Sequence, residues 1–176
     1  MKNENVKRLV FSAVFLAIGF VLPFFTGQIK EIGDSLLPMH LPVMLCGLIC
    51  GWKYGLAVGL VLPISRSLIF GMPPMYPTAV CMALELATYG FVIGFLYAKS
   101  RKKNTLSVLL CLVIAMLCGR LVWGSVKAIL LGVGGEAFTI QAFIAGGFVD
   151  SLPGIILQLV LIPIVMTIIN KRSFTK

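Results

Sequence analysis

Leu106–Leu131 reads LSVLLCLVIAMLCGRLVWGSVKAILL, an apolar run that carries two cations, Arg120 and Lys127. A helix rises about 1.5 Å per residue, and about 20 apolar residues cross the hydrocarbon core of a bilayer. This run is long enough to do so. A charge at membrane depth costs about 2.5–3.5 kcal/mol on insertion scales, so it persists only where it faces another charge, a water-filled cavity or a ligand. Three more ionisable residues, Arg66, Glu85 and Asp150, lie in other apolar stretches. Function in this chain turns on where the five side chains meet.

Hydrophobic residues fill 59% of the 176 positions and charged ones only 12%, too few to clothe a soluble domain. The expectation is an all-α integral membrane protein, one transmembrane domain over residues 1–176. Its net charge of +9 comes from short basic clusters between apolar runs, which is a topology signal and argues against nucleic-acid binding. The five cysteines, Cys46, Cys50, Cys81, Cys111 and Cys118, all fall in apolar segments without a Cys-x-x-Cys pair. They read as small hydrophobes, with no disulfide framework, metal site or cofactor implied. No small-residue cleavage signal follows the first apolar run, which therefore reads as a retained helix rather than a signal peptide.

Six segments emerge: Leu9–Phe25, Pro38–Cys50, Leu56–Phe70, Pro77–Tyr97, Leu106–Leu131 and Ala142–Asn170. The second and third are short and are separated by a predicted turn, Gly51-Trp52-Lys53-Tyr54-Gly55. The sixth is expected to be interrupted at Pro153 and Pro163. With the N-terminus inside, one side collects Lys2, Lys7, Arg8, Lys53, Lys99, Arg101, Lys102, Lys103, Lys171, Arg172 and Lys176, most of the 15 basic residues. Only Lys30 falls clearly on the other side, so both termini are expected to be cytoplasmic.

This topology converts position into depth. Arg66, Glu85, Arg120 and Asp150 come to one level on four helices, roughly 10 Å beneath the outer surface, with Lys127 near the boundary. Arg120, Trp123 and Lys127 share one helical face. His40 enters at the outer end of the second segment, and Tyr76 and Glu136 fall in outer loops. The pattern is that of an outward-facing polar pocket. A proton or ion relay would spread its charges through the full thickness. Two readings of each pair remain open: an internal ion pair locking the bundle, or a ligand site. Three cations against two anions leave an excess that a carboxylate or phosphate would satisfy. Lys127 has the further option of extending to the interface.

Catalysis finds little support. The single histidine excludes a two-histidine metal motif, and no Gly-x-Ser-x-Gly elbow occurs. A stand-alone secondary transporter or channel is the main alternative, but inverted repeats are not evident and the charges do not reach the inner half.

Small residues recur at helical spacing in Ala13/Ala17, Gly47/Gly51, Gly55/Gly59, Ala79/Ala83/Ala87 and Gly90/Gly94, the pattern that lets helices approach closely. With the Ala13-x-x-x-Ala17 motif, Met39-His40-Leu41-Pro42-Val43 and Gly71-Met72-Pro73-Pro74-Met75-Tyr76-Pro77, the chain resembles the substrate-binding S components of energy-coupling factor (ECF) vitamin transporters. The last two stretches look like those of pantothenate-type and unassigned members. The resemblance implies a subunit of the bacterial cytoplasmic membrane that binds a small vitamin or vitamin precursor, with pantothenate as first candidate. It implies docking through Ala13 and Ala17 on a transmembrane coupling subunit, and ATP hydrolysis by two separate ATPase subunits. The chain itself has no phosphate-binding Gly-x-x-x-x-Gly-Lys-Ser/Thr loop. It also implies an outer pocket capped by the loops near Gly27–Leu37, Phe70–Tyr76 and Gly132–Ile140. The substrate-binding residues expected are His40, Arg66, Tyr76, Glu85, Arg120, Trp123, Lys127 and Asp150.

Overall fold

The computed structural model describes residues 2–26, 35–101, 103–135 and 138–174, with backbone alone at Lys2 and 171–174. Most of the expected loop Gly27–Leu37 and the residue Glu136 lie outside the described residues. The described chain is helical and contains no strand. Its helices are α1 (Lys2–Thr26), α2 (His40–Cys50), α3 (Trp52–Phe70), α4 (Val80–Lys99), α5 (Thr105–Val133), α6 (Ile140–Ile144) and α7 (Leu152–Phe174). Wide helical turns, Met75–Ala79 and Ala145–Val149, lead into α4 and follow α6.

Among the described residues, five helices are long and apolar enough to cross a membrane, with α2 a shorter apolar helix between the first two. The third sequence segment is a full span: helix α3 starts at Trp52, because the break after α2 is a single residue. Gly51 makes it with φ 100°, a backbone conformation that any side chain would strain. The predicted five-residue turn is therefore a one-residue turn. The sixth segment also breaks elsewhere than expected. Pro153 is the second residue of α7, where its missing N–H is not needed, and Pro163 lies inside the helix. The break falls at Asp150–Ser151, where the Ser151 hydroxyl donates to the Gly146 carbonyl at 2.9 Å.

Helix α2 is the wedge of the fold. It packs on α1, α3 and α4 and touches α7, and most of its residues are buried. One apolar core joins Met44, Leu45 and Leu48 of α2 to Tyr89 and Ile93 of α4, Leu112 and Met116 of α5, and Ile162 and Met166 of α7. A second joins Val43 and Cys46 to Leu62 of α3 and to Phe15, Leu16 and Phe20 of α1. Lipid offers no hydrophobic drive between helices, so close contact rests on small residues. A Cβ on Gly47 would stand 2.6 Å from the Gly90 carbonyl oxygen, and one on Gly55 would stand 2.7 Å from Gly47 Cα. Glycines thus bring α2, α3 and α4 together. The remaining face of α1, with Leu9, Val10, Phe11, Val14, Ile18 and Val21, is exposed, and Ala13 and Ala17 lie on it.

Candidate functional site

Where α2, α4 and α5 meet, Glu85 sits 1% exposed. Its Oε1 accepts from Arg120 Nη1 at 2.9 Å and from the Tyr89 hydroxyl at 3.0 Å, and lies 3.7 Å from His40 Nε2. Each residue arrives there for a local reason. Glu85 and Tyr89 are one turn apart on α4, which places them on the same face. Gly119 precedes Arg120 on α5, and its bare Cα leaves room for the Tyr89 ring. His40 is the first residue of α2, with its ring 5.3 Å from that of Tyr89.

The carboxylate neutralises the guanidinium without saturating it. Arg120 is 4% exposed, and its Nε and Nη2 have no hydrogen-bond partner. Beside them opens a cavity of about 150 Å³ between α5 and α7. Its walls are mostly apolar, from Val113, Met116, Leu117, Phe148, Ile155 and Leu159. Arg120, Tyr89 and Gln158 are its polar members, and Gln158 Nε2 is likewise unpartnered at 1% exposure. Unsatisfied donors in an apolar interior cost on the order of 1–3 kcal/mol each. Two such donors on Arg120 and one on Gln158 belong to residues that line one cavity.

Toward the end that charge counting assigns to the outside, α5 adds an aromatic cluster. The Trp123 indole lies 5.9 Å from Arg120 Cζ on one side and 4.7 Å from Lys127 Nζ on the other. Phe138 is 5.5 Å from the same Lys127 nitrogen, and Phe143 stands 6.1 Å from the indole. Gly146 and Gly147 fit against that indole, which seats the wide turn before α7 on α5. Tyr76 reaches the outer part of α5 from the turn before α4, its hydroxyl donating to the Leu130 carbonyl at 2.6 Å.

His40, Glu85 and Arg120 thus come together, with Trp123 and then Lys127 beside them on α5 and Tyr76 bonded further along it at Leu130. Arg66 and Asp150 are placed differently. Arg66 Nη1 donates to the Phe20 carbonyl at 2.7 Å, with the guanidinium 4.8 Å from the Phe24 ring and 5.4 Å from the Phe70 ring. Its contacts are with α1 and α3. Asp150 is exposed at the break before α7. Tyr89 and Gln158 are the residues that reasoning from ionisable groups passed over. Tyr89 was findable from its spacing to Glu85, and Gln158 as the lone amide in the apolar stretch 152–166.

A model of the family described as ECF transporter, substrate-specific component, matches residues 7–166. The chain belongs to that family. Comparison with curated proteins and with solved structures finds no match. As a substrate-specific component it is a multi-pass membrane protein and a substrate-binding subunit rather than an enzyme, and it associates with the other subunits of an ECF module. Among the described residues no group of histidine, cysteine or carboxylate side chains is placed to hold a metal ion.

Proposed function

We propose that this S component binds a small carboxylate-bearing vitamin or vitamin precursor in the cavity beside Arg120, with pantothenate the first compound to test. The observation that carries the reading is the state of the Arg120 guanidinium. One nitrogen is fixed on Glu85 while Nε and Nη2 remain buried and unpartnered, and Arg120 lines a half-open, mostly apolar cavity. Nε and Nη2 form one edge of the guanidinium fork, which matches the two oxygens of a carboxylate. Glu85, itself held by Tyr89, orients the fork, and Trp123 and Lys127 line the approach. Lys127 supplies positive charge there without a carboxylate within ion-pair distance among the described residues.

The cargo is then carried across the bacterial cytoplasmic membrane by a complex with a transmembrane coupling subunit and two ATPase subunits. The exposed Ala13–Ala17 strip of α1 is the docking face in this proposal. The test is mass spectrometry of small molecules released from the purified protein, followed by a thermal-shift panel of vitamins. An anionic compound bound by the wild type and not by Arg120→Met supports the reading. Equal binding by both proteins overturns it.

A further inference from the structure

We infer that Gln158 is a specificity-determining residue, so that the cargo carries a second, uncharged acceptor besides its carboxylate. The inference rests on the reading of Arg120 as the carboxylate site. Gln158 lies on α7 and Arg120 on α5, and both line the same cavity of about 150 Å³. The amide is 1% exposed and its Nε2 meets no acceptor. Its neighbours on α7 along the cavity, Ile155 and Leu159, offer none, and neither do Val113, Met116 and Leu117 across it.

A glutamine that served packing alone would be costly here, because an apolar side chain of similar length fills the same space without a stranded donor. An amide nitrogen gives a hydrogen bond to a carbonyl, hydroxyl or ring-nitrogen acceptor, and being uncharged it does not compete with Glu85 for Arg120. The two anchors sit on different helices, so they read two separate groups of one molecule. The apolar lining between them fits a carbon skeleton. The cargo class is therefore a small organic acid with one neutral acceptor set apart from its carboxylate. A simple fatty acid leaves Gln158 unpaired, and a site built around such a donor rejects analogues that lack its acceptor strongly.

The test compares wild type, Gln158→Met and Arg120→Met, purified in parallel, by the amount of small molecule each releases and by melting of the ligand-free proteins. Gln158→Met is expected to release at least tenfold less compound than wild type. Stripped of ligand, it is expected to melt a few degrees higher, because the stranded donor is gone. A structural glutamine would give the opposite shift. A lower melting temperature for ligand-free Gln158→Met overturns the inference, as does a released compound with no acceptor beyond its carboxylate. Equal release from wild type and Gln158→Met, with none from Arg120→Met, overturns the role of Gln158 and leaves the carboxylate site standing. Equal release from all three overturns both.

Discussion

Arg66 and Arg120 are both buried arginines at similar helical depth, yet the chain treats them in opposite ways. Arg66, on α3, donates one hydrogen bond from Nη1 to the Phe20 carbonyl and lies over the Phe24 and Phe70 rings, so it joins α3 to α1. Arg120, on α5, is paired to Glu85 at 2.9 Å and still has two nitrogens unpartnered at the wall of a cavity. A charge at membrane depth is therefore no marker of a binding site by itself. What separates the two is that the unpartnered nitrogens of Arg120 are fully buried and that Arg120 lines a cavity. Arg66 does not line that cavity and ties two helices together. Under the function proposed above, the missing partner of Arg120 is the cargo.

The comparison breaks most decisively at Arg120. Arg120→Met is expected to remove carboxylate binding altogether, a loss above a hundredfold in titration calorimetry, and to destabilise the protein by about 3–5 kcal/mol because Glu85 is left as a lone buried charge. Pairing it with Glu85→Gln should restore much of the melting temperature and none of the binding. Recovery of binding in the double variant would show that the guanidinium is a structural partner of Glu85 and nothing more.

The next effect acts through support rather than contact. Gly119→Ala places a methyl group where the Tyr89 ring now lies. Tyr89 is then displaced from Glu85, and the carboxylate loses the hydroxyl that helps fix it. The expected outcome is a loss of about tenfold in affinity, close to the 1.4 kcal/mol of one hydrogen bond. Fold should be retained, as checked by size-exclusion chromatography in detergent. Unchanged affinity would mean that Tyr89 does not position the site.

Arg66→Met sharpens the contrast from the other side. It forfeits a charged hydrogen bond and two ring contacts, together on the order of 1–3 kcal/mol of stability. Melting should fall while affinity stays within about threefold of wild type by calorimetry. An affinity loss comparable with that of Arg120→Met would return Arg66 to the binding site and undo the distinction.

These differences mark how far the sequence could be read. Helix type follows from the apolar runs, because hydrocarbon allows a spanning segment little else than a helix, but of the six runs the second is a helix too short to span. Rise per residue likewise turns sequence position into an expected depth. Direction around the helix axis is harder. Arg66 and Glu85 come to one level by counting residues, but the close glycine contacts of α3 on α4 and the seat of α1 on α3 decide which way Arg66 faces. The break at Asp150–Ser151 was hidden for a similar reason. It arises where Gly146 and Gly147 fit the Trp123 indole across the bundle, a contact between helices that no local pattern records. Gln158 carried a signal, an amide amid apolar residues, but an uncharged group does not stand out on a scale of insertion cost.

The smallest effect belongs to Lys127, and it tests whether the aromatic cluster and the Arg120 centre are separate devices. Lys127 Nζ lies over Trp123 and Phe138 and is half-buried, outside the pairing that holds Glu85 to Arg120. A cation so placed attracts an anionic cargo during its approach more than it holds it after arrival, and attraction across solvent is screened within a Debye length of about 8 Å at physiological salt. Lys127→Met should therefore slow association of the cargo by about threefold to tenfold at low salt, with little change in its dissociation rate. The difference from wild type should shrink as salt is raised, because screening removes the advantage of the native lysine. Stopped-flow binding at several ionic strengths measures this directly. A change confined to the dissociation rate and independent of salt would instead place Lys127 in contact with the bound cargo, joining it to Arg120 as a second charged anchor.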